Sequence, residues 1–405
     1  QRQMCIRDRN YILENKLNLE VLILILTGTA ALALAVGIGR FSYTPILPYM
    51  LEELNISKTK GGLIASWNFF GYLCGSLLSI LPIFKKKIKF VFFTSIVISL
   101  LTTLLMSLSN DIIIFIVIRF FAGISSAFVL IFATALILPS MQSLGKKSLS
   151  TSHFMGVGFG IVLSSILVSL LGNFGFAWND LWIGVTILSM ILAIPIFRYT
   201  PNETVVETTI IKSETSNNVS FSLITLSYGL YGFGYVILGT FISTMARETV
   251  GLETTETYVW LLVGLAGIPM VILWPWFGKK IGNDIALFLA CAIMGFGILM
   301  PVIIEDKFGI ILASILLGST FIPITALALL EGQTRYNGSI RVSTAILTSS
   351  FGVGQMIGPY FGGVIIDLFF SYKIALSISS VSLFIASFLM INPVRYIPSK
   401  FTNIP

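Results

Sequence analysis

The sequence predicts an all-α polytopic membrane protein, with twelve transmembrane helices arranged as two pseudo-symmetric six-helix bundles. Three observations lead there. The 405 residues are 56% hydrophobic and only 11% charged, with a mean hydropathy of +0.94, whereas a soluble domain carries about a quarter of its residues charged. Apolar runs of about 20 residues recur along the chain, each long enough to cross about 30 Å of hydrocarbon at 1.5 Å per residue. Landmarks in the first half return in the second at a nearly constant spacing.

Charges and turn residues divide the chain into spans over 19–48, 61–84, 90–108, 111–138, 150–171, 178–197, 220–243, 257–277, 284–303, 308–330, 341–369 and 372–392. The first run contains Gly37 and Arg40; alone it resembles a signal-peptide core, but with so many spans behind it a first transmembrane helix is the better reading. The second lies between Lys60 and the lysines at 85–87, and the third runs from there to Ser109-Asn110. Asp111 opens the fourth, and the Lys146-Lys147 pair separates it from the fifth. The sixth begins at Trp178 and ends at Arg198. In the second half, Arg247, Lys279-Lys280, Lys307, Arg335 and Lys373 mark the corresponding connections. The expected organisation is an N-terminal tail over 1–18, a six-helix bundle over 19–198, a polar linker over 199–219, a second bundle over 220–392 and a tail over 393–405. Residues 1–9, "QRQMCIRDR", resemble a translated sequencing adapter and are set aside from fold reasoning.

Composition also excludes functions. The net charge of +7 comes without a basic stripe interleaved with aromatics on a polar face, so it does not indicate nucleic acid. Its positive residues gather in short loops as orientation signals. With the N-terminus inside, inner segments hold Lys85, Lys86, Lys87, Lys89, Lys146, Lys147, Arg198, Lys212, Lys279, Lys280, Arg335, Arg341, Arg395 and Lys400, against Lys58, Lys60, Arg247, Lys307 and Lys373 outside. Both termini and the linker are therefore expected in the cytoplasm of a bacterial cell, with the chain in its inner membrane. Cys74 and Cys291 lie in apolar spans as packing residues, and there is no zinc-ligand spacing, phosphate-binding loop or nucleophile constellation. No cofactor and no enzymatic activity are expected.

The repeat is visible in four places. Gly37-Ile38-Gly39-Arg40 matches Gly232-Phe233-Gly234-Tyr235, Gly123 matches Gly318, Gly156-Val157-Gly158 matches Gly352-Val353-Gly354, and Lys85-Lys86 matches Lys279-Lys280. Duplicated halves with a midplane site between them are an architecture of alternating-access transporters.

Twelve spans as six plus six with a polar central loop resemble the major facilitator superfamily. In "GVGQMIGPYFGG", Gly354, Gly358, Pro359, Gly362 and Gly363 fit that superfamily's G-x-x-x-G-P-x-x-G-G pattern; in "RFFAGISSA", Arg119 and Gly123 fit R-x-x-x-G. The stretches "GIGRFSYTPILP", "HFMGVGFGI" and "YGLYGFGYVILGTF" resemble its YbfB/YjiJ-like branch. The chain departs from the superfamily's loop pattern after helix 2, which is reduced to "FKKKIK". The resemblance implies that helices 1, 4, 7 and 10 line a central cavity and that the protein is a secondary transporter of a small solute.

Two strong charges fall inside spans. Arg40 and Arg119 each sit about 10–12 Å below the outer surface by helix rise, and the resemblance implies that they face each other. Asp111, Asp180, Glu331 and Asp367 all fall at span ends, so no carboxylate is available mid-span. An intramembrane cation without a protein carboxylate calls for an anion from elsewhere, and a guanidinium binds a carboxylate bidentately. Arg40 and Arg119 are thus the candidate clamp for a small organic anion, driven by coupled protons or exchange. The competing reading has each arginine snorkelling or satisfying nearby carbonyls. Tyr228, Tyr231 and Tyr235 share one face of helix 7, as a substrate-facing ladder or an aromatic packing stripe; Tyr43, Trp67, Asn68 and Tyr72 are further candidates. His153, the sole histidine, is the proton-coupling candidate. Gly123, Gly156, Gly160, Gly354, Gly358, Pro359, Gly362 and Gly363 are assigned to helix packing and rocking. A proton-coupled exporter of drugs is the alternative function, and a non-transporting membrane sensor or scaffold a more distant one. A monomer is expected, with the lipid bilayer and a small solute as its partners. A cysteine placed at Ser216 in the linker should react with an impermeant thiol reagent only after cells are permeabilised; labelling of intact cells would invert the topology.

Overall fold

The computed structural model describes residues 18–84, 87–144, 152–202, 218–252, 256–336 and 340–391. The adapter-like residues 1–9, most of the linker and the loop lysines Lys85, Lys86, Lys146, Lys147 and Lys212, together with Arg395 and Lys400, lie outside them. In order come α1 (Asn18–Glu53), α2 (Lys58–Leu78), α3 (Ile88–Leu105), α4 (Ile112–Ser143), α5 (Met155–Asn173), α6 (Trp178–Tyr199), α7 (Asn218–Arg247), α8 (Glu256–Ile281), α9 (Asn283–Ile303), α10 (Lys307–Arg335), α11 (Ile340–Phe369) and α12 (Tyr372–Met390). Among the described residues, ten are long and apolar enough to cross a membrane by length and composition. The other two, α2 and α11, are of similar length but rich in Gly, Ser and amides, because each packs along the other between the two halves. By contrast, only 33% of the most apolar stretch of α3 and 39% of that of α6 are buried, and side chains such as Leu101, Ile113, Ile191 and Phe388 project outward. An apolar exterior of that extent belongs in lipid.

Local chemistry sets the helix ends. Ser57, Asp306 and Ser371 accept hydrogen bonds from backbone N–H groups in the first turns of α2, α10 and α12, which satisfies donors that helix geometry leaves free. Gly282 takes φ 103° between α8 and α9, a left-handed conformation that favours glycine. The sequence led us to expect α1 as an unbroken span; instead its hydrogen bonding widens. Gly39 N donates to Leu34 O at 2.8 Å and Phe41 N to Val36 O at 3.2 Å, and a regular helix resumes at Tyr43. Pro45 and Pro48 add to the disturbance, since neither can donate to the preceding turn.

The duplication shapes the packing. In the first half α2 packs on α4 and α1 on α5; in the second, α8 packs on α10 and α7 on α11. The halves meet along α2–α11, α5–α8 and α1–α7. Repeat-related residues touch one another: Thr44 Oγ1 donates to Gly239 O at 2.7 Å and Arg247 Nη1 to Glu52 Oε2 at 3.1 Å, both pairs 195 positions apart. Two equivalent positions meet only on the symmetry axis, so the pseudo-two-fold axis runs between α1 and α7.

At the end of the bundle remote from the termini, the halves are tied further. Lys58 pairs with Glu248 at 2.8 Å. Asp367 of α11 accepts from Lys58 N, Thr59 N and Thr59 Oγ1 at 3.3, 2.7 and 2.6 Å, closing the start of α2. Closer to the middle, Tyr360 N donates to Ser66 Oγ at 3.1 Å. These contacts join the two halves across the far end.

Close helix contact rests on glycine. A Cβ at Gly123 would lie 2.0 Å from Asn68 O, at Gly156 2.2 Å from Thr29 O, at Gly160 2.4 Å from Ala33 O, and at Gly354 2.0 Å from Gly229 O. Gly358 and Gly362 approach Val236 and Ile237 of α7, Gly363 approaches Lys58 O, and Pro359 O lies against Gly62. At Gly239, by contrast, a Cβ would meet nothing within 4 Å. Gly123→Ala should therefore cost about 1–3 kcal/mol through overpacking, and Gly239→Ala should be neutral or stabilising by up to about 1 kcal/mol. Thermal unfolding midpoints in detergent should separate the two; equal midpoints would refute the packing account.

Candidate functional site

Where α1 widens, Arg40 projects between the halves and is 5% exposed. Its guanidinium lies over the rings of Phe69 and Tyr72 of α2, 4.4 and 4.3 Å from their centroids. Both rings offer their electron-rich faces to the cation. Nη2 donates to Gln355 Oε1 of α11 at 3.0 Å, while Nε has no hydrogen-bond partner. Gln355, fully buried, gives its amide hydrogen to the Tyr235 hydroxyl. One neutral amide thus joins Arg40 to Tyr235, the residue at Arg40's repeat position.

Arg119 of α4 is also buried, but it is used differently. Nη1 donates to Gly39 O and Nη2 to Arg40 O, each at 3.0 Å. These carbonyls lie in the break of α1, where the regular ladder is lost. Arg119 braces the backbone that carries Arg40, with Tyr43 beneath it at 4.9 Å. The structure does not present the two arginines as opposed jaws; Arg119 has both terminal nitrogens committed to backbone.

The tyrosines of α7 form a continuous stack. Ring centroids are 5.7 Å apart for Tyr228–Tyr231 and 5.0 Å for Tyr231–Tyr235, with Phe351 packed on Tyr228 at 4.6 Å. Tyr231 donates to Phe321 O at 2.6 Å. Only Tyr235 reaches the cavity beside Arg40, which has a volume of about 20 Å³, room for about one water molecule. Its lining includes Phe41, Tyr43, Thr44, Phe69, Arg119, Trp260 and Phe321, and among the described residues it contains no Asp, Glu or His.

Other candidates fall elsewhere. Trp67 is 36% exposed and packs on Phe70 and Phe120 at the outer face; its neighbour Asn68 turns inward and donates to Arg119 O at 3.0 Å. Tyr43 donates to Gly61 O at 2.8 Å, tying α1 to α2. His153 is buried just before α5, with Nε2 3.1 Å from Thr134 Oγ1 of α4, and is not brought to the cavity. Sequence reasoning passed over Gln355, Phe69, Thr44 and Trp260. Gln355 alone left a signal, as an amide amid the glycines of "GVGQMIGPYFGG".

Twelve long helices in two repeated halves, with a closed polar centre between them, define a major facilitator-type secondary transporter. A family profile described as "Uncharacterised MFS-type transporter YbfB" matches residues 32–391, and the chain belongs to that family. No individually curated protein matches it in sequence. Among solved structures, a crystal structure of a mutant of the nucleoside transporter NupG is similar in fold, with a TM-score of 0.71 at 15% identity, covering 91% of this chain and 98% of that one. The brace predicts that Arg119→Met, which leaves two buried carbonyls unpaired, destabilises the protein by about 1–3 kcal/mol per lost partner. An unchanged unfolding midpoint for Arg119→Met would remove the brace.

Proposed function

We propose that this transporter moves a small organic anion with an apolar, preferably aromatic body, and that Arg40 is the group that recognises its charge. The observation that carries this reading is a guanidinium buried between the halves, with neutral acceptors, a free Nε and, among the described residues, no carboxylate in the cavity lining. An intramembrane charge costs several kcal/mol unless it is matched. A substrate carboxylate matches it with two charge-assisted hydrogen bonds. The rings of Phe41, Phe69, Tyr235, Trp260 and Phe321 favour a flat apolar body. A positively charged drug meets Arg40's own charge here, which weighs against the exporter reading.

Alternating access follows from the duplicated halves: rocking one against the other around the central site opens one end as the other closes. Among the described residues the lining holds no Asp, Glu or His, which favours exchange of one anion for another over a proton carried by the cavity itself. The placement is the bacterial cytoplasmic membrane with both termini inside, as a monomer. The remote end, tied by Arg247–Glu52 and Asp367–α2, then faces outward. Nucleoside transport is a property of the structural relative, and at 15% identity that likeness extends to the fold alone.

Benzoate and its neutral amide, benzamide, test the charge reading on the purified protein. Wild type should bind benzoate in clear preference to benzamide. Arg40→Lys keeps the charge but loses the fork, and should weaken benzoate by about 1–3 kcal/mol while leaving benzamide unchanged. Equal binding of both probes by wild type would overturn the assignment.

A further inference from the structure

Gln355 accepts from the guanidinium that a substrate anion is expected to bind. It sits on α11 in the second half, yet its amide oxygen takes Nη2 of Arg40 in the first half at 3.0 Å. Its amide nitrogen is committed in turn to the Tyr235 hydroxyl. The residue is fully buried, so no water competes for these bonds. The cavity beside Arg40, of about 20 Å³, is far too small for an organic anion, which needs a pocket of some hundreds of Å³. Side chains must move before a substrate can enter, and this amide, from the opposite half, is hydrogen-bonded to the guanidinium.

We propose that Gln355 is a resident stand-in for the substrate: its amide oxygen holds Arg40 in the closed, empty carrier and is displaced by the incoming anion. The proposal rests on reading Arg40 as the anion site. A neutral amide suits the part. It satisfies a guanidinium well enough to let it be buried, but it bonds more weakly than a carboxylate, and charge-assisted pairs with an ionised acceptor are about twice as strong as neutral ones. An anion therefore outcompetes it, where a resident Glu or Asp would not be displaced. Because the bridge also joins α1 to α11, losing it removes a central tie between the halves. The Lys58–Glu248, Arg247–Glu52 and Asp367 contacts are then left to hold the far end. Binding and opening are thereby linked through one side chain, and the link is reciprocal.

Spin labels at Lys60 and Val250, exposed on opposite halves of the far end, read the opening directly as a distance distribution, in a background with the native cysteines replaced. Without ligand, wild type should show a dominant short distance. Gln355→Leu should raise the long-distance population several-fold, Gln355→Met should do the same should the leucine variant fold poorly, and Gln355→Glu should suppress it. Ligand-free distributions identical for wild type and both apolar variants would overturn the latch, whatever the substrate is. In a second arm, benzoate should bind Gln355→Leu about tenfold more tightly than wild type and Gln355→Glu at least tenfold more weakly. Weaker binding to Gln355→Leu would make Gln355 a direct ligand and overturn the stand-in role. Benzoate that binds no variant, alongside distances that shift as expected, would leave the latch supported and place the failure in the substrate class.

Discussion

The structure depends on one uncommon arrangement: a guanidinium buried between two membrane-embedded halves, with no carboxylate among the described residues lining its cavity. Each neighbouring feature serves that burial. The break in α1 lets Arg40 leave the helix line, and the carbonyls the break exposes are taken by Arg119 from α4. Phe69 and Tyr72 supply ring faces in place of an anion. Gln355 supplies a neutral side-chain acceptor from the opposite half. Replacing these by a resident acid would stabilise the cation better and leave nothing for a substrate to do.

Around that centre, the frame is symmetric and the site is not. The duplicated halves meet on an axis where Thr44 contacts Gly239 and Glu52 contacts Arg247 at equal spacing. One step nearer the middle, the same axis brings Arg40 opposite Tyr235, and Gln355 joins them. The duplication therefore accounts for the paired packing of α2 with α11 and α5 with α8. At one equivalent pair the halves differ in charge, with a cation on one side and a phenol on the other, and the proposed anion site lies there.

The architecture was legible because membrane insertion writes it in composition: long apolar runs, loop charges and glycines at constant spacing survive without knowledge of side-chain direction. Arg40 was legible for a related reason, since a charge inside an apolar run requires an explanation. What stayed hidden depended on geometry finer than hydropathy. Trp67 and Asn68 are adjacent and about 100° apart around a helix, so one faces outward and the other inward with no difference in pattern. Arg119 looked equivalent to Arg40 by depth, but its role is set by carbonyls that only the break in α1 frees. The break itself was masked because Gly37 and Gly39 read equally well as packing glycines. Gln355, a neutral amide in a glycine-rich helix, carries neither the charge nor the periodicity that draws notice.

The central claim is that an anion takes the place of the Gln355 amide on Arg40. An experimental structure of the protein with benzoate bound tests it most directly. The account predicts a carboxylate about 2.7–2.9 Å from the Arg40 guanidinium nitrogens, the ring among Phe69, Trp260 and Phe321, and the Gln355 side chain rotated away. Benzoate bound elsewhere, with the Arg40–Gln355 bond intact, would contradict it.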